Sequence, residues 1–460
     1  MLLAGQLADA GGGGGLEAVE VAVRTAVLAL GGSLLGRLLA ADGGHRGPRV
    51  GCGAGHQAEF VAYRDKTIAT VVGPVTLRRA WYHCSSCGHG LAPRDGQLGV
   101  AGTSLTPGLR RMIDRAGAAA PFTPAAGLLA DLAGVAVNAK AVQRVAETDG
   151  RAAAAAITAR AEAIRTRVLV PLPPSPLPDI LYVAVDGTGV PMTPDQTAGR
   201  AGKTARPDGQ GGTLPDDGRA RTREVKLACL FTQTELDDDG YPIRDPGSSS
   251  YLASFAPAHE FGPLVVAEAR RRRADHIRQT VVLGDGAAWI WNLAGKLLPQ
   301  ATQIVDIYHA REHLHTLAAT LAFIVPDPAR WLAERLDELD AGDIEAIITA
   351  ATAPEYPLVG VKATDRDKAL TYFETNTVRM RYAHYRKLGM FIGSGHVEAG
   401  CKAVIGQRLK LSGMHWTEPG ATGILTLRCQ QASGPWDQIW THANNQIPAV
   451  DLADLAVCGT

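Results

Sequence analysis

Two apolar runs, each closed by an aspartate, restrict what the second half of this chain can fold into. Ile180 to Val185 (ILYVAV) leads directly into Asp186-Gly187-Thr188-Gly189, and Thr280 to Gly284 leads into Asp285-Gly286. An unbroken apolar run of this length is how a strand buried on both faces reads. Further strands are predicted at Val225 to Thr232 and Gln303 to Ile307, with a turn at Leu236 to Gly240. Helices are predicted from Pro263 to His276, where the proline falls in the first turn, and through Trp289 and Trp291. Strands alternating with helices, entered through a hairpin, indicate an α/β domain. Leu314 to Lys387 is charge-rich and helical in pattern and reads as an all-helical insertion.

At 460 residues and 46% hydrophobic content the chain is long enough for more than one core. Its formal net charge of zero excludes a uniformly basic nucleic-acid coat and leaves local patches to be read one by one. Seven cysteines in a chain this long do not suggest a disulfide scaffold, and Cys84-x2-Cys87 points to a metal in a reducing compartment. A cytoplasmic, nucleoid-associated location is therefore expected. No basic residue precedes Arg24, and Arg24 and Arg37 interrupt the apolar span Val21 to Ala40, so an amphipathic helix, broken at Gly31-Gly32, is expected and a membrane span is not.

Cys52-x3-His56 and Cys84-x2-Cys87 flank a β-rich stretch with a turn at Gly73-Pro74. Two ligand pairs on two tight turns can close a tetrahedral Zn2+ site, the pattern of a zinc ribbon; His83 and His89 are competing ligands. After it, Thr123 to Leu132, a turn at Gly134, and Asn138 to Glu147 have the layout of a helix-turn-helix and equally of a plain helical hairpin. Asn138 is a candidate cap, and Asn138, Lys140, Gln143 and Arg144 can reach bases or phosphates from the second helix. A separate Ala-rich helix is predicted from Arg151 to Val168, followed by a proline-rich linker, Pro171 to Pro178.

The stretch Gly393 to Lys410 (GSGHVEAGCKAVIGQRLK) places Glu398 ahead of Lys402, Arg408 and Lys410. With Asp186 and Asp285 it makes a third carboxylate of the kind that two-metal phosphodiester cleavage requires on a rigid frame. Small neighbours (Gly187, Gly189, Gly284, Gly286) would let a substrate backbone approach. Lys226, Arg271 within the run Arg270 to Arg273, Lys402, Arg408 and Lys410 are candidate phosphate contacts, with a solvated helix face as the plainer reading of the arginine run. Asp306 and His309 suit either a structural pair or a contact to DNA. Trp416 reads as core, with base stacking the less favoured role.

The segments VDGTGVPM, REVKLACLFTQTE, VVLGDGAAWIWNLA, QIVDIYHAREHL and GSGHVEAGCKAVIGQRLKLSGMHW, in this order, resemble the ISKra4-type insertion-sequence transposases. The likeness extends from about Gly51 to Gln431 and includes the Cys-x2-Cys region. It implies a multidomain α/β protein: a DDE catalytic domain of RNase H-like fold with an all-helical insertion, preceded by a zinc-ribbon-like and a helix-turn-helix-like module. Asp186, Asp285 and Glu398 are then the Mg2+ (or Mn2+) triad, and Asp306 and His309 the D-x2-H element of Mutator-like relatives. Where many members carry a second Cys-x2-Cys knuckle, this chain has Cys52 and His56. The expected segments are 1–48, 49–97, 98–170, 171–435 (insertion at about 314–387) and a tail, 436–460. The implied function is cleavage and joining of DNA ends by a homo-oligomer that forms on transposon and target DNA. A non-catalytic DNA-binding regulator and a structure-selective nuclease are the alternatives.

Overall fold

The computed structural model describes residues 15–170, 177–202, 206–207, 213–214, 218–353, 361–434 and 436. The expected linker and tail lie mostly outside these residues. The chain forms two compact units, residues 1–149 with 435–460, and residues 150–434.

In the first unit, helix α1 (Gly15–Ala40) precedes a four-stranded antiparallel sheet in the order β1 (Arg49–Gly51), β2 (Gln57–Thr70), β3 (Gly73–His83), β4 (Gly90–Leu91). Helix α1 is continuous through Gly31-Gly32, against the expectation of a break. The glycines instead let it lie close to the β2–β3 turn: a Cβ on Gly32 would come within 3.2 Å of the Val72 carbonyl oxygen, and one on Gly31 within 3.3 Å of the Val72 side chain. By length and composition α1 is the one described helix apolar enough to cross a membrane, and its glycine face is taken up by the hairpin. Gly73, at φ +104°, closes that hairpin in a conformation side chains avoid. Helices α2 (Pro107–Ala119) and α3 (Phe122–Ala133) follow, and Leu109, Ile113, Ala125, Leu129, Val135, Val142 and Val145 form their common core with the start of α4.

Helix α4 runs unbroken from Ala139 to Arg165, so the two helices predicted for this stretch are one. The division between units falls within it. Gly150 does not break it because Gly150 is where the backbone of Gly423 approaches; a Cβ there would overlap the Gly423 carbonyl.

The second unit is built on a five-stranded sheet of β5 (Ile180–Pro191), β6 (Thr222–Gln233), β7 (Ser250–Ser254), β8 (Gln279–Gly284) and β9 (Thr302–Val305), ordered β9-β8-β5-β6-β7. The first three strands form an antiparallel meander, and β8 and β9 add parallel on the other side of β5. Strand β7 was not among the sequence expectations; SYLAS is short and only half apolar, a weak signal for an edge strand. The long β5–β6 pairing is anchored by Tyr182, stacked on Phe231 with centroids 4.8 Å apart and donating its hydroxyl to Gln233 Oε1 at 2.6 Å. Helices α5 (Ala258–Arg271) and α6 (Ala288–Leu297) cross between β7, β8 and β9. From α7 (Ile307–Leu321) onward the described residues are helical: α8 (Pro328–Ala341), α9 (Ile344–Ala351), α10 (Val361–Asn376) and α11 (Tyr382–Lys387). The chain then re-enters the sheet region through α12 (Gly395–Gly400) and a π-helical turn, Cys401–Gly406, and ends its described part in α13 (Glu418–Ala432).

Candidate active site and metal centres

Strand pairing sets the two aspartates side by side. Leu283 on β8 is opposite Ala184 on β5 in parallel register, so Asp285 and Asp186, each two residues further on, reach the same level. Asp285 follows the last residue of β8, whereas Asp186, expected to close its strand, lies within β5, which continues to Pro191 paired with β6. Asp186 Oδ1 accepts from the Gly187 backbone N–H at 2.6 Å within β5, and Asp285 Oδ1 accepts from Ala287 N–H at 2.8 Å in the bend after β8, so each carboxylate is oriented by its own local backbone. The Tyr372 hydroxyl of α10 donates to the Asp285 carbonyl at 2.9 Å.

Glu398 arrives on α12. Three residues beyond it, the Cys401 thiol donates to Asp186 Oδ2 at 3.2 Å, which fastens the Glu398 segment to the middle of β5. Burial, together with Asp186 beside it, pushes the Cys401 thiol well above the ordinary range, so it stays a protonated donor. Glu398 Oε1 accepts from the Ser394 hydroxyl at 3.2 Å and lies 4.0 Å from His309 Nε2, while His309 Nδ1 is 3.5 Å from Glu312. Asp306 is fully buried; its Oδ1 caps α7 by accepting from His309 N–H at 2.9 Å, and its Oδ2 accepts from Ser394 N–H. Asp306 thus bonds the backbone of His309 and leaves the imidazole turned to Glu398.

The ligand atoms of Asp306, His309 and Glu398 all lie within 4.8 Å of one another, and among the described residues this is the tight set that contains Glu398. It joins nitrogen to oxygen donors, a mixture suited to Mn2+ or Zn2+. Asp186 and Asp285 are not part of this set: the expected triad of Asp186, Asp285 and Glu398, whose carboxylate oxygens would suit a hard cation such as Mg2+, is not brought within the same 4.8 Å.

The glycines beside the acids make room for protein, contrary to the expectation that they admit substrate. A Cβ on Gly187 would stand 2.8 Å from Glu224 Oε1, one on Gly284 would stand 3.0 Å from Ile290, and one on Gly286 would overlap the Tyr372 ring. The cations divide in the same way. Arg408 is fully buried, with its guanidinium 5.2 Å from the Trp416 ring centre, and is removed from the expected phosphate contacts; Trp416 itself is buried, as a core residue. Lys226 is nearly buried, held by Glu224 at 2.8 Å and by the face of Trp289 at 5.4 Å, which also takes it off the surface. Arg271 is paired with Glu268 at 2.7 Å. Lys402 and Lys410 are exposed, and Lys410 bonds the Thr188 hydroxyl, two residues from Asp186. Ser394, Cys401 and Tyr372 went unnoticed in the sequence because each acts by position alone, and no motif marks them.

In the first unit, Cys52, His56, Cys84 and Cys87 bring their ligand atoms within 4.8 Å of one another. Cys52 Sγ and Cys87 Sγ are 3.7 Å apart, close to the edge of a tetrahedron with Zn–S bonds of about 2.3 Å. Tight turns aim the ligands: Cys52 N–H donates to His56 O at 3.0 Å and Gly88 N–H to Cys84 O at 2.8 Å. The backbone N–H of Ala54 heads the interactions that lower Cys52 to about 7, favouring a thiolate. His83 and His89 stand outside this set.

On α4, Asn138 Oδ1 accepts from Ala141 N–H at 2.8 Å, the cap expected of it. Lys140 and Arg144 are exposed, and Gln143 links Lys140 at 3.2 Å to Glu147 at 2.8 Å. Gly134 ends α3 in the left-handed region at φ 67°, so the two helices are joined by a turn as predicted. Compared with models of known protein families the chain matches none, and no curated protein matches it.

Proposed function

We propose that the chain is a DNA transposase of the ISKra4 type, which binds the terminal inverted repeats of its element and cuts and joins DNA strands with a DDE triad on an RNase H-like domain. The observation that carries this reading is that Asp186 and Asp285 lie level on neighbouring strands, with the Glu398 helix tied to Asp186 through Cys401, on a sheet whose strand order, numbered within the domain, is 3-2-1-4-5. That order, with an antiparallel meander followed by two parallel strands, is the one expected of an RNase H-like core. Mg2+ or Mn2+, when bound, would polarise the scissile phosphodiester and activate the attacking hydroxyl.

The protein's own groups set the geometry. Asp186 and Asp285 are fixed by backbone N–H donors, and Cys401 keeps one Asp186 oxygen turned toward α12. Glu398 is held by Ser394 and faced by His309, an imidazole able to donate to a phosphate oxygen from beside the carboxylates. Lys402 and Lys410 supply phosphate contacts. End recognition belongs to the α3–α4 hairpin through Lys140, Gln143 and Arg144, with Asn138 holding the helix start. Cys52, His56, Cys84 and Cys87 would hold Zn2+, which would tie the start of the four-stranded sheet to the turn after β3.

The test is incubation of the purified protein and Mg2+ with candidate element ends, mapping cuts and joined products. Asp186→Ala, Asp285→Ala and Glu398→Ala should each abolish cleavage while end binding persists. Undiminished cleavage by Glu398→Ala removes that residue from the mechanism, and cutting of branched DNA without joined products favours a nuclease.

A further inference from the structure

Helix α1 carries a second apolar face, opposite the one that meets the hairpin. Leu16, Val23 and Leu30 recur every seven residues, and Val27 and Leu34 follow Val23 and Leu30 by four, giving the alternating spacing of a coiled-coil seam. These side chains are open to solvent: Leu16 is 74% exposed, Val27 61%, Leu30 58% and Leu34 52%. No residue of α1 is buried, while Leu35 and Leu39 on its other side already pack on Ile68, Val75 and Val100. Arg24 fixes the helix's rotation by donating to the carbonyls of Asp131 and Leu132.

The two remaining seam positions are charged, and they decide the occupant. Glu20 is four residues after Leu16, and Arg37 is seven after Leu30; both are exposed. A parallel copy would set Glu20 against Glu20 and Arg37 against Arg37. An antiparallel copy, related by a two-fold axis between residues 28 and 29, sets Val27 opposite Leu30, Val23 opposite Leu34, and Glu20 opposite Arg37 of the second copy. The four layers made by Val23, Val27, Leu30 and Leu34 are then all apolar, an ion pair flanks them at each end, and Leu16 falls beyond the pairs, opposite position 41 just past the helix. Such agreement is what an isologous interface requires of a single helix. A helix of 26 residues is about 39 Å long, enough for these layers. A membrane would have to receive Glu20 and Arg37 toward the two ends of the same face.

We propose that α1 is a dimerisation element, pairing as an antiparallel two-stranded coiled coil with α1 of a second copy of this chain. The inference does not depend on the proposed catalytic function. Sedimentation of the full-length protein without DNA, across a concentration series, tests it. Wild type should dimerise. Glu20→Arg and Arg37→Glu should each weaken association by about tenfold or more, because symmetry doubles every change. The double variant Glu20→Arg/Arg37→Glu should restore it. Circular dichroism checks that each variant is folded. A monomeric wild type, or a double variant no better than the singles, overturns the proposal. So does binding of monomeric protein to phosphatidylglycerol vesicles with no change in the charge variants.

Discussion

Arg408 and Lys410 are two positions apart, yet one is enclosed against the Trp416 indole and the other reaches solvent beside Thr188. The sequence offers them as equivalent cations after Glu398; burial separates them. Arg408→Ala should lower the stability of the second unit by roughly 3–5 kcal/mol, since it empties a large enclosed site and exposes an indole to a cavity. Lys410→Ala should leave the unfolding free energy within about 0.5 kcal/mol of wild type and weaken DNA binding with a shallower salt slope. Chemical denaturation and binding titrations at two salt concentrations separate the two outcomes. Asp114 makes a pH-dependent case. It is fully enclosed in α2, and burial, followed by the neighbouring Asp149 carboxylate, raises it to about 9. A folded value above the unfolded one means that the folded state holds the proton longer, so stability is greatest below about 4 and declines as pH rises toward 9. Asp114→Asn should match wild type near pH 4 and be more stable at pH 8, by on the order of 1–3 kcal/mol, in thermal unfolding followed across that range.

At the level of elements, glycines separate what the sequence can say from what it cannot. Gly127 and Gly150 both sit inside helices. Gly127 is exposed, with nothing within 4 Å of a Cβ built on it, whereas Gly150 touches the backbone of α13. Gly127→Ala should stabilise by roughly 0.5–1 kcal/mol, through helix propensity alone. Gly150→Ala should destabilise by at least 1–3 kcal/mol, roughly the usual cost of overpacking, because backbone cannot yield as a side chain can. Urea denaturation of the two variants should therefore move in opposite directions. The same physics explains the sequence reading. Strands β5, β6 and β8 were legible because burial on both faces demands continuous apolar runs; the end of β8 carried Asp285 with it, whereas β5 runs on past Asp186 through the less apolar GTGVP, which its pairing with β6 holds in the strand. The continuity of α1 and α4 was not legible, since a glycine that admits a neighbour and a glycine that breaks a helix are the same letter. Nor was the partition of Lys226 and Arg408 from Lys402 and Lys410, which depends on contacts with Trp289 and Trp416 that are remote or local only after folding.

For the molecule as a whole, the four-ligand cluster and the catalytic candidate draw on different parts of the chain and should fail separately. Removal of zinc by a chelator, or Cys84→Ser, should lower the unfolding temperature of the first unit and abolish one equivalent of bound Zn2+ by elemental analysis, while Mn2+ binding at the Glu398 region persists. Loss of both together would show a shared fold. The bond from Ser394 N–H to Asp306, with the Ile307 N–H to Ile392 carbonyl bond of 3.1 Å beside it, has a further consequence. These two contacts close the base of the whole helical excursion between α7 and α12. Glu398 is consequently presented from a short, already closed ring, and the chain entropy of the excursion is spent at its base, not at the carboxylate. Because closure entropy grows only as the logarithm of loop length, the helices between could lengthen, shorten or be exchanged at little cost to the position of Glu398. What must be kept is the Asp306 carboxylate and a backbone N–H donor at position 394.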